Sequence, residues 1–122
     1  PVLETLERVG TLETLVAAQA ATARVFVADP IAGYAVAIVR ATRDAEGVRL
    51  GASPRAAIAL VSAARAYAIM CGRDFVTPGD VQAVAASCLG HRLVTDADPA
   101  HALQRGIAVV DRVVGDLPAP RP

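Results

Sequence analysis

Apolar residues recur at helical spacing in five stretches of this chain, and small, polar and proline residues mark where each stretch starts and stops. The longest runs from Gly51 to Met70, and after Ala56 its only polar side chains are Ser62 and Arg65. Projected at roughly 100° per residue, Leu60, Val61, Ala64, Tyr67 and Ala68 share one side while Arg55, Ala59, Ser62 and Ala66 line the other. The first side is candidate core; the second is smooth and carries Arg55 at its start. Ser53 is placed to cap this helix, and Pro54 suits the first turn, where a missing N–H removes no hydrogen bond.

The other four stretches follow the same grammar. Thr11 can cap a helix whose apolar positions Leu12, Leu15, Val16, Ala20 and Ala23 run to about Arg24. Asp29-Pro30 predicts a second start, followed by a stripe of Ile31, Tyr34, Ala35, Ile38, Val39 and Thr42 that stops near Arg43. Thr77-Pro78-Gly79-Asp80 predicts a fourth helix with a shortened capping box and a buried stripe of Val81, Val84, Ala85 and Cys88. Leu103, Gly106, Ile107, Val110, Val113, Val114 and Leu117 mark a fifth, which Gly106 is expected to weaken, and Pro118, Pro120 and Pro122 make an extended tail. Between these helices, residues 25–27 and 48–50 are short and β-branched or extended, and the two segments could pair. The predicted fold is all-α: a compact bundle of about five helices with at most a very short β pairing.

Composition narrows the functional classes. A chain of 122 residues forms one ordinary domain. The formal net charge is +0 and every basic side chain is arginine, which argues against a nucleic-acid footprint or a polybasic membrane patch. Hydrophobic residues make up 54% of the chain but aromatics only 3%, so alanine and valine supply a core suited to closely packed helices. No apolar run approaches the roughly 20 residues of a membrane span, and no basic-then-apolar leader opens the chain, so a soluble, cytoplasmic protein is expected. The chain opens on Pro1 and is taken as a fragment of a longer protein. Cys71 and Cys88 are too few for a disulfide framework.

Arg55 is the residue that asks for chemistry. A cation in the first turn opposes the positive end of the helix dipole unless an anion sits there, and a guanidinium beside free N–H groups makes a phosphate-sized site. The alternative is an exposed arginine lying over alanines. Ser62 and Arg65 flank the same side and suit either an interface or a solvated edge. His91-Arg92 falls at the end of the fourth helix, where cations complement the dipole or could meet a neighbouring subunit. Arg40 and Arg43 end the second helix in the same structural role, and Tyr34 and Tyr67 are expected in the core with hydroxyls at its edge. A metal site from Cys71, Cys88, His91 and His101 lacks ligand spacing, and no metal is expected.

Taken together, Tyr34-Ala35-Val36-Ala37-Ile38-Val39-Arg40-Ala41-Thr42-Arg43, Gly51-Ala52-Ser53-Pro54-Arg55-Ala56, Gly72-Arg73-Asp74-Phe75-Val76-Thr77-Pro78-Gly79-Asp80-Val81 and His91-Arg92-Leu93 resemble the C-terminal lid of MoxR-type AAA+ ATPases. The match in order and spacing covers residues 12–94. The resemblance implies that residues 1–10 are a linker from an upstream ATPase domain, that 11–117 form the lid and that 118–122 are a tail. It implies that Ser53 and Pro54 set the helix start and that Arg55 is the second sensor arginine, reaching the phosphates of ATP held with Mg by the core domain of the parent chain. It further implies ring oligomers with neighbouring subunits, and clients that include proteins with von Willebrand factor A domains. No G-x-x-x-x-G-K-S/T loop is present, so this fragment alone should neither hydrolyse ATP nor bind it tightly. Gly79 departs from the acidic residue common in the family at that position. Two other classes compete: a free-standing helical adaptor, which fits the mean hydropathy of +0.44, and a histone-fold-like DNA-binding module, which the zero net charge opposes.

Overall fold

All five predicted helices form. The computed structural model describes residues 2–121, and runs through a 3-10 turn (Val2–Thr5), α1 (Leu12–Ala23), α2 (Asp29–Ala41), β1 (Val48–Leu50) and α3 (Pro54–Met70). It continues with α4 (Pro78–Leu89), a second 3-10 turn (Gly90–Arg92), β2 (Val94–Thr95) and α5 (Ala102–Asp116). Pro1, Pro122 and the side chains of Val2 and Leu3 lie outside the described residues, and with them the expectations placed there. Proline occupies the first turn of α2, α3 and α4, where it removes no internal hydrogen bond. Thr11 and Thr77 close reciprocal capping boxes with Thr14 and Asp80.

The core centres on α3. Ala56, Leu60, Ala64 and Ala68 recur every fourth residue and are completely buried, forming a low ridge against which α4 and α2 pack. The predicted α2 stripe is buried in full, Thr42 included, and Tyr34 accepts a hydrogen bond from Gln82 Nε2 at 3.1 Å. Val81, Ala85 and Leu89 of α4 and Val109, Val110 and Val113 of α5 complete the interior.

Several expectations need correction. Residues 48–50 pair antiparallel with Val94–Thr95 rather than with residues 25–27. The 25–27 segment instead lies along the α3–α4 loop, with the Phe26 N–H donating to Asp74 C=O at 2.8 Å and the Val76 N–H donating to Phe26 C=O at 3.0 Å. Asp29 is the first residue of α2, whose cap is Ala28; its carboxylate still sits where the dipole favours it. On α3 the core ridge is narrower than projected, leaving Val61 half-buried and Tyr67 39% exposed. The largest departure is α1, which packs chiefly on α3 and leaves Leu12, Leu15 and Val16 exposed. Helical periodicity shows which residues share a face; it does not show that this chain covers the face.

Gly106 lowers the helix propensity of α5, yet it is where α5 crosses the second 3-10 turn. A Cβ there would enter the Gly90 carbonyl oxygen, and one at Gly90 would lie 2.9 Å from Ile107 Cγ1. Glycine thus costs helix propensity and permits the close crossing.

The α3–α4 turn is held by an ion pair that capping logic alone missed. Arg73 grips Asp80 with two bonds of 2.6 Å, one to each carboxylate oxygen, while the backbone N–H and hydroxyl of Thr77 donate to Oδ2 at 2.7 and 2.9 Å. Asp80 is only 2% exposed, so these donors replace the water it loses.

Two predictions follow from these contacts. Gly106→Ala, which in an open helix would add about 1 kcal/mol, should instead lower the melting temperature by roughly 8 °C through overpacking against Gly90; thermal unfolding reads the sign. The Arg73 guanidinium, helped by Thr77 and opposed by burial, pushes the Asp80 carboxyl down to about 2, against about 3.9 in an unfolded chain. Its contribution is therefore complete above the unfolded value and is lost as pH falls through the folded one. Denaturant titrations from about pH 5 to pH 2 should show this acid-dependent loss, reduced in Asp80→Asn.

Candidate functional site

The start of α3 is built by the end of α2. Thr42 follows the last α2 residue and is completely buried; its hydroxyl donates to Val39 C=O at 2.7 Å and accepts the Ala52 N–H at 3.0 Å. Arg43 Nε donates to Ala52 C=O at 3.3 Å. Both backbone polar groups of Ala52 are thus held by consecutive residues, and its side chain is buried. Gly51 is required for this approach, because a Cβ there would stand 2.6 Å from Arg43 Cα and 2.7 Å from Arg43 N. In the Gly51-Ala52-Ser53-Pro54-Arg55 run, each of the first two residues therefore has a steric or hydrogen-bonding reason.

Ser53 occupies the N-cap position with extended backbone, but its side chain makes no capping bond. The helix start is held from α2 instead. The Ala56 N–H donates to Ser53 C=O at 2.9 Å and Pro54 has no N–H, so the Arg55 N–H is a first-turn donor with no partner among the described residues. The Arg55 side chain is exposed and likewise makes no hydrogen bond or ion pair there.

The start of α3 has basic neighbours that reading along the chain did not reveal. Arg43 and Arg49 line a groove with Gly51, Ala52 and Ser53, and Arg40 and Arg43 line the neighbouring one with Pro54 and Ala57. Arg40 and Arg43 complement the α2 dipole, and the last turn of α2 and the residues after it also bring them to the grooves at the positive end of α3. Neither they nor Arg49 form an ion pair among the described residues. Several guanidiniums around a helix N-terminus make a region that an anion of phosphate type would neutralise.

The other candidates lie elsewhere. Ser62 and Arg65 line a groove between α2 and α3 with Ala32, Val36, Ala57, Ile58 and Val61. Arg65 Nε is buried there without an acceptor among the described residues. His91 and Arg92 occupy the turn after α4, packed near α5, and Arg92 Nε donates to Cys88 C=O at 2.9 Å, satisfying a helix-end carbonyl as the dipole argument expects. Burial pushes the Cys88 thiol up, Cys71 is exposed, and His101 Nδ1 lies 2.9 Å from Asp98 Oδ1. Among the described residues, no group of three or more His, Cys, Asp or Glu side chains could hold a metal ion.

Comparison with known proteins decides what this helical scaffold is. Residues 40–113 match the AAA lid domain family. The chain belongs to that family, as a C-terminal lid of the MoxR type. The lid is 36% identical over 118 residues to YeaC of Bacillus subtilis, a protein of uncharacterized function, covering 97% of the lid and 37% of YeaC. It is 42% identical over 82 residues to the chaperone MoxR1 of Mycobacterium tuberculosis, covering 60% of the lid and 22% of MoxR1. A crystal structure of a candidate ATPase from Cytophaga hutchinsonii superposes with a TM-score of 0.71 at 25% identity, over 84% of the lid and 34% of that chain. The lid thus spans well under half the length of these relatives. Among the described residues, no helix of the lid is long and apolar enough to cross a membrane.

Because Gly51 lets the α2 and α3 backbones approach, Gly51→Ala should destabilise the lid by about 2 kcal/mol. A melting temperature unchanged within roughly 2 °C would show that the junction yields without cost.

Proposed function

We propose that the lid closes over ATP and Mg held by the core domain of a longer MoxR-type AAA+ protein, and that Arg55 is the sensor that reads the γ-phosphate. The observation that carries this reading is Arg55 itself: among the described residues, an unpartnered guanidinium in the first turn of α3 with a free N–H of its own, at a helix start whose grooves are lined by Arg40, Arg43 and Arg49, none of them in an ion pair. Charge developing on the transferring phosphoryl group would be stabilised there, and its loss on hydrolysis would release the lid to rotate. Ser53 and Pro54 act by setting where the helix begins. The fragment alone supplies no P-loop, so turnover belongs to the parent chain.

In this proposal the parent is a cytoplasmic ring oligomer that remodels or matures partner proteins, including ones with von Willebrand factor A domains. The relative MoxR1, a chaperone, supports that direction. Ser62 and Arg65 face another part of the same assembly, which would offer an acceptor to the buried Arg65 Nε. His91 and Arg92 are the second candidate subunit contact.

The test is ATP turnover of the full-length parent carrying Arg55→Ala, with nucleotide binding followed in parallel. A fall of tenfold or more, about 1.4 kcal/mol or more in the barrier, with the lid still folded, supports the sensor role. Unchanged turnover and unchanged binding would remove it and leave this face as a protein-docking surface.

A further inference from the structure

We infer that Thr42 and Arg43 are positioning residues for the nucleotide sensor, acting through Ala52 to set the direction in which α3 presents Arg55; this rests on the sensor reading of Arg55. The inference begins with a missing interaction. A serine at an N-cap ordinarily fixes the helix start through its own hydroxyl, and Ser53 makes no such bond. Thr11 and Thr77, at the starts of α1 and α4, both do. The start of α3 therefore lacks the local device used at those two sites.

Its replacement comes from another helix. The Thr42 hydroxyl is completely buried and uses both its capacities, donating to Val39 C=O within the last turn of α2 and accepting the Ala52 N–H. Arg43 Nε takes the Ala52 carbonyl. Ala52 lies three residues before Arg55 and immediately before the N-cap, so a rotation of the α3 start must break one of these bonds or bury an unpaired backbone group. A local cap would hold α3 only relative to its own preceding loop. This clamp holds it relative to α2, so the sensor keeps its orientation to the body of the lid, and a movement of α2 is transmitted to Arg55. Among the described residues, the Ser53 hydroxyl and the Arg55 N–H are left without partners at the face where the anion would sit.

Charge is not the basis of the Thr42 role, which allows it to be tested apart from the arginines. Thr42→Ser keeps the hydroxyl and Thr42→Val keeps the shape. In the full-length parent, at saturating ATP, Thr42→Val should lower kcat about fivefold while Thr42→Ser stays within about twofold of unaltered protein. The decisive comparison is Thr42→Val combined with Arg55→Ala. If Thr42 acts through Arg55, the double variant turns over as Arg55→Ala alone; if the two losses multiply, Thr42 works by another route and the inference fails. Equal impairment of Thr42→Ser and Thr42→Val also overturns it. Should Thr42→Val not fold at the assay temperature, Arg43→Lys removes the Nε tie from an exposed position while keeping the charge, and its loss must likewise vanish in the Arg55→Ala background. If Arg55→Ala lowers turnover but neither clamp variant does, only the clamp falls. If Arg55→Ala itself changes nothing, the sensor reading falls and takes the clamp with it.

Discussion

Close approach at small residues is the constraint from which this lid is assembled. Alanine recurs along the inner ridge of α3, so its neighbours can pack near its backbone, and two further contacts extend the principle. Gly51 lets the start of α3 touch the Arg43 backbone, and Gly106 lets α5 cross at Gly90. With only 3% aromatic residues, the interior gains its dispersion energy from many close aliphatic contacts rather than from a few large rings. Such an interior has little slack. A movement of one helix is passed on because adjoining surfaces interlock, which the proposed coupling of nucleotide state to lid rotation would require.

The two ends of α3 are held in different ways. At its C-terminal side, the Arg73–Asp80 pair and the Thr77 cap fix the turn into α4 with charge-assisted bonds. At its N-terminal side, a neutral hydroxyl and an arginine Nε fix Ala52, while the positive end of the helix stays open. Apart from Arg43, the polar groups that secure the fold at the two ends of α3 are distinct from the groups left open at its start. Arg43 belongs to both sets, since its Nε is committed to Ala52 while its guanidinium borders both grooves around the α3 start.

The exposed α1 points the same way. Twelve residues of helix are too few to persist by propensity alone, and an apolar face containing Leu12, Leu15 and Val16 is open in the structure. This fits a domain that works against other protein surfaces, and it explains why periodicity overstated the core of the lid.

Local chemistry in the sequence determined the five helices, the starts of α1, α3 and α4 and most of the inward faces, because caps, first-turn prolines and 3.6-residue periodicity act over a few residues. It also singled out Arg55, since a cation in a first turn is anomalous by itself. Only the tertiary structure decided the partner of residues 48–50, the exposure of α1, the Arg73–Asp80 pairing and the convergence of Arg40, Arg43 and Arg49 on the α3 start. It alone showed that Ser53 makes no capping bond and that the segment leading into α3 is tied down by Thr42, ten residues before Ala52. Each of these depends on which segments meet across the packed core, and hydrogen-bond and steric complementarity at such distances leaves no periodic trace along the chain.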